Sequence, residues 1–116
     1  MKENKLLELS KQFAVEIIDF YGKNEDKKWH VLYNQILKSG TSIGANVHEA
    51  NYAASKLDFI NKLQIALKEC YESDYWLSLL KDAKVLSEEE YLDKIQKCNK
   101  IRSLLVSSIK TAKSNI

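Results

Sequence analysis

Chain breakers are almost absent from this sequence. Its 116 residues include no proline and only three glycines, Gly22, Gly40 and Gly44. Proline removes a backbone donor and clashes with the preceding helical turn, and glycine loses the most backbone entropy on folding. A chain this poor in both can run in long helices. The spacing of its apolar residues says where.

Leu6, Phe13, Ile17 and Phe20, with Leu9, Ala14 and Tyr21 alongside, form a stripe of helical period and predict a first helix from Lys2 to Tyr21. Gly22 is placed to cap its C-terminus. A short polar connector follows, in which Asn24 or Asp26 could cap the next helix. That second helix starts around Lys27 to Trp29, ends near Tyr52 and carries the stripe Leu32, Ile36, Ser39, Ile43, Val47 and Ala50.

The stretch Gly40-Thr41-Ser42-Ile43-Gly44-Ala45-Asn46-Val47-His48-Glu49 in this helix is unusual. Each interior glycine costs about 0.5–1 kcal/mol relative to alanine. Gly40 and Gly44 share a face, so the compensation expected is a close backbone approach by a neighbour. Ser42, Asn46 and Glu49 follow one another at four and three residues and form a polar seam beside the apolar stripe. Such a seam is either a hydrogen-bonded layer that sets register or subunit contact, or a ligand site; the cost of unsatisfied buried polar groups favours the structural role.

Ser55-Lys56-Leu57-Asp58 resembles a capping box with Asp58 in the usual Glu position, opening a third helix from Lys56 to Ala83. Its core face is Phe59, Ile60, Leu63, Ala66, Leu67, Cys70 and Leu77. Away from that face lie Leu57, Ile65, Tyr75, Trp76 and Leu79. A helix apolar on nearly every side is usually buried on both, which points to self-association, with Ile65, Tyr75, Trp76 and Leu79 as interface candidates. Ser87-Glu88-Glu89-Glu90 opens a fourth helix with a capping box and an acidic first turn. Its stripe is Tyr91, Ile95, Cys98, Leu105, Ile109 and Ala112, with Leu92 and Val106 beside it. Four amphipathic helices with short connectors predict one all-α domain spanning residues 1–116, an antiparallel up-and-down four-helix bundle.

From Lys94 onward the fourth helix carries Lys94, Lys97, Lys100, Arg102, Lys110 and Lys113 and no acid. The five lysines are candidate contacts to RNA or DNA phosphates. They equally complement the helix dipole and solvate a face. Net charge is only +2, so any nucleic-acid case rests on this local run. Arg102, the single arginine, falls within the apolar stripe and is expected to pair with Glu49 or Glu69, extending the polar seam.

Other chemistry finds little footing. A di-iron bundle needs Glu-x-x-His pairs, and the residues three before His30 and His48 are Lys27 and Ala45. Neither histidine has a nucleophilic partner by motif, and no glycine-rich loop follows a strand. No metal, cofactor or enzymatic activity is expected. Two cysteines are too few for a disulfide scaffold of this length and fit a reduced compartment. The start, Met1-Lys2-Glu3-Asn4-Lys5, is charged and leads into no long apolar run. Neither a signal peptide nor a membrane span is expected, so the location expected is cytoplasmic.

Gln35, Thr41-Ser42-Ile43-Gly44-Ala45-Asn46, Glu49, Ser55…Asp58-Phe59, Ile65-Ala66-Leu67-Lys68-Glu69 and Glu72…Tyr75-Trp76-Leu77 follow, in order and spacing, the pattern of a known family. The chain resembles the bacterial four-helix-bundle proteins named after 23S rRNA intervening sequences. The accessory protein of diversity-generating retroelements looks like a relative. The resemblance implies a cytoplasmic homopentamer without an established reaction. For the retroelement relative it implies a basic barrel that engages a reverse transcriptase and nucleic acid. Two departures stand out. Ala50 follows Glu49 where the family carries glycine, and Leu37-Lys38-Ser39 stands where arginines are common.

Overall fold

The computed structural model of the chain describes residues 2–24 and 27–115, with side chains at 5–24 and 28–115. Four helices account for most of them: α1 Lys2–Lys23, α2 His30–Ala50, α3 Lys56–Asp82 and α4 Glu88–Ser114. They form an all-α four-helix bundle in which each helix packs on its neighbours in sequence, α4 closes the ring against α1, and diagonal pairs do not approach. The long axis of 47 Å matches helices of up to 27 residues at about 1.5 Å rise each.

The core is the apolar stripes of all four helices turned inward. Phe13, Ile17, Ile36, Ile43, Leu63, Leu77, Ile101 and Leu105 are among its fully buried side chains. The expected stripes hold with local corrections. Phe59, Leu67 and Tyr91 lie at the margin of the core, and Leu92 and Val106 are exposed beside it. Ile101 and Leu80, missing from the expected sets, are buried.

Helix ends follow their capping chemistry more closely than their glycines. Gly22 does not cap α1: it lies inside the helix, and no described glycine has positive φ. Asn24 ends the helix instead, its Nδ2 donating to the Phe20 carbonyl at 2.7 Å. It therefore does not cap α2, and Asp26 lies outside the described residues. A 3₁₀ turn, Lys27–Trp29, leads into α2. At its other end α2 stops at Ala50 rather than Tyr52, and the chain keeps winding through i→i+3 bonds from the N–H groups of Asn51, Tyr52 and Ala53. This gradual ending suits Ala50 in a place where glycine would turn the chain sharply.

Ser55 caps α3 by accepting from the Asp58 N–H at 3.0 Å, while the Asp58 carboxylate takes the Ala54 N–H rather than that of Ser55. The shorter acid shifts the reciprocal bond by one residue. Ser87 and Glu90 complete a full capping box on α4. Between these helices Lys84 adopts φ 63°, and the N–H groups of Lys84 and Val85 return to the carbonyls of Lys81 and Leu80. That is a Schellman end with lysine where glycine is favoured. It drops Leu86 into the core.

Candidate functional site

The two glycines of α2 sit where α1 crosses it. A Cβ on Gly44 would stand 3.3 Å from the Ser10 carbonyl oxygen, and one on Gly40 would stand 3.0 Å from Cγ1 of Ile17. This is the close backbone approach expected of the pair. Ser10 is itself fully buried and returns its hydroxyl to the Leu7 carbonyl.

The polar seam is arranged differently from the layer expected. Ser42 Oγ donates to the Lys38 carbonyl at 2.6 Å, and Asn46 Nδ2 donates to the Ser42 carbonyl at 2.8 Å. Both side chains bond back along their own helix instead of bridging to another. Glu49 is the exception, reaching Lys62 of α3 at 3.2 Å on a partly solvated edge. The buried polar link between helices lies elsewhere, where Ser73 Oγ donates to Ser39 Oγ at 2.9 Å between α3 and α2. Serine is small enough to sit in an apolar stripe without disturbing its period, so the pattern gave no sign of this bond.

Arg102 does not extend the seam. No carboxylate lies within ion-pair distance of it among the described residues, and Glu49 is already paired with Lys62. Its charge acts on Cys70, whereas the charges acting on Glu69 are Glu72, Lys38 and Lys68. Partial burial, a hydrogen bond with Glu72 and the repulsion of that neighbour push Glu69 up to about 7, against the smaller opposing pull of the two lysines. Glu69 and Glu72 thus share a proton near neutrality, a coupling that sequence reasoning missed although i,i+3 spacing could have signalled it.

The outer face of α3 remains largely uncovered. Tyr75 is 60% exposed, Leu57 69% and Tyr71 52%, while Ile65, Trp76 and Leu79 are half-buried. Tyr75 and Trp76 meet edge to face at 5.1 Å between ring centroids, and Trp76 also packs on the core margin. Trp76 therefore belongs partly to the bundle, and Tyr75 is the freer of the two.

The lysines of α4 divide into two sets. Lys97 bonds Glu16 of α1 at 2.6 Å and Asp93 at 3.3 Å, contacts that raise its affinity for a proton. Lys94 lies over the Phe20 ring at 5.2 Å. Lys100, Lys110 and Lys113 are exposed, with no carboxylate in ion-pair range among the described residues. Lys97 and Lys100 also edge a cleft of about 230 Å³ between α1 and α4, floored by Leu9, Phe13 and Ile101.

The remaining reactive side chains are dispersed or buried. His30 and His48 pack beside Tyr21 and Tyr52. No group of three or more metal-ligating side chains converges among the described residues. None of the described helices is long and apolar enough to cross a membrane.

Comparison with known proteins decides the family. The sequence matches the 23S rRNA-intervening sequence protein family over residues 2–107. The chain belongs to that family. A solved structure from Bacteroides thetaiotaomicron, described as a protein of unknown function from the S23 ribosomal protein family, is 45% identical. The two align over 95% of this chain and 99% of that one, with a TM-score of 0.91. No curated protein matches the chain.

In this member of the intervening-sequence protein family the motif residues gather on one pair of helices. Gln35 to Glu49 lie on α2, and Asp58 to Leu77 lie on α3. The Ser39–Ser73 and Glu49–Lys62 contacts tie those helices together inside the same stretch. The family pattern thus describes the α2–α3 half of the bundle, and the lysines of α4 fall outside it.

Proposed function

We propose that this protein is a non-enzymatic assembly module. Copies of the bundle join through the outer face of α3, five to a ring as the family resemblance implies. The ring meets RNA or DNA phosphates through Lys100, Lys110 and Lys113. What carries the reading is that these three lysines are exposed and unpaired on a stretch with no acid. Repetition around a ring multiplies a modest local charge into a basic surface.

A second reading has its own support. Lys97 is neutralised by Glu16 and Asp93, and Lys94 is drawn onto Phe20, so the basic strip is smaller than its lysine count. On that reading the ring engages another protein, such as the reverse transcriptase of a retroelement. Fluorescence anisotropy with labelled structured RNA and duplex DNA, at low and physiological salt, separates the two. The first reading expects affinity to rise steeply as salt falls, with Lys100→Ala, Lys110→Ala and Lys113→Ala each removing about one unit of the log–log slope. Absence of binding at low salt would leave the protein-partner reading.

A further inference from the structure

We infer that Cys70 and Cys98 form a redox pair whose oxidation staples α3 to α4. They are the only cysteines in the chain, they stand 28 residues apart in sequence, and the fold brings them together. Cys98 Sγ donates to the Cys70 carbonyl oxygen at 3.5 Å, and each residue is only 1% exposed. Both are free thiols here. The hydrogen bond between the two side chains, with burial second, holds the proton on Cys70. The pair therefore rests as a dithiol that solvent reaches only when the helices part locally, and its oxidation is slow and selective.

The oxidant is a peroxide. One sulfur takes an oxygen atom from hydrogen peroxide and releases water, becoming a sulfenic acid. The other sulfur attacks it, the S–S bond forms, and hydroxide leaves with the displaced proton as a second water. Two thiols and one peroxide thus give one disulfide and two waters, with two electrons passing from sulfur to peroxide. No third thiol is present to divert the sulfenic acid within the chain.

The test treats the full chain with hydrogen peroxide, quenches it, and combines thiol titration in denaturant, intact mass and a non-reducing peptide map. The expected result is loss of both thiols, a mass lower by about 2 Da, and a linked pair of peptides carrying Cys70 and Cys98. Dithiothreitol should restore both thiols. The closed loop should raise Tm on the order of 10 °C. Cys70→Ser and Cys98→Ser should abolish the mass loss. Thiols that stay fully titratable after prolonged exposure at elevated temperature would overturn the inference. So would sulfinic acids or covalent dimers forming in place of the internal link.

Discussion

The Gly40 contact can be tested with a quantity worked from its geometry. An alanine at this position gains about 1 kcal/mol of helix propensity. Its methyl group would lie 3.0 Å from Cγ1 and 3.2 Å from Cγ2 of Ile17. Ile17 is fully buried, and a β-branched side chain in a helix has essentially one rotamer, so it cannot swing aside. Overpacking of this kind costs about 1–3 kcal/mol, which makes Gly40→Ala neutral to about 2 kcal/mol destabilising. Ile17→Ala alone should cost about 2–5 kcal/mol through its cavity. In the double variant both crowded carbons are gone and the nearest remaining atom of residue 17 is Cβ, at 3.4 Å. The new methyl then partly fills the cavity and keeps its propensity gain. The double variant should therefore be about 1–3 kcal/mol more stable than the sum of the single changes. Urea unfolding followed by far-ultraviolet circular dichroism, at one protein concentration, measures the cycle. Additivity within about 0.5 kcal/mol would refute the close-approach argument. So would a Gly40→Ala variant that simply gains its full propensity.

Three further outcomes follow from other contacts. Ser73→Ala should cost about 1–2 kcal/mol by leaving Ser39 Oγ buried without its donor, and adding Ser39→Ala should recover part of that in the same urea assay. Lys84→Gly should raise stability by about 0.5–1 kcal/mol, read as a higher Tm, because the residue already sits at φ 63°. Folded Glu69 keeps its proton up to about pH 7, whereas the unfolded chain releases it near 4.5. Between those values the folded state binds more protons, so stability falls as pH rises and levels off above 7. Solvent screening limits this loss to about 1 kcal/mol, and Glu69→Gln should flatten the slope of Tm against pH across that window.

The helices were legible because their apolar period is regular and two of their starts carry serine caps with an acid three residues on. Their ends were less so. Gly22 was read by residue type, but a helix can run through an exposed glycine when Asn24 supplies the terminal bond. Lys84 shows the reverse, a left-handed residue without the glycine that would announce it. Among the site residues, the glycine pair followed from its cost, since a destabilising choice needs a steric reason. The polar seam was misjudged because period shows which residues share a face, not whether a side chain bonds outward. Ser42 and Asn46 have a carbonyl one turn back and use it. Arg102 shows the same limit across helices, because a shared stripe does not reveal which neighbour stands opposite.

Sedimentation velocity most directly tests the assembly on which the functional account rests, with the wild-type chain compared against Tyr75→Glu. Tyr75 is exposed enough for the charge to leave the bundle intact, while circular dichroism confirms the fold. The account predicts a wild-type species several times the chain mass of 13.4 kDa and a shift of the variant toward that single-chain mass. A wild-type chain that sediments as a monomer from micromolar to millimolar concentration would contradict it. An oligomer indifferent to a glutamate at position 75 would show that the outer face of α3 is not the contact.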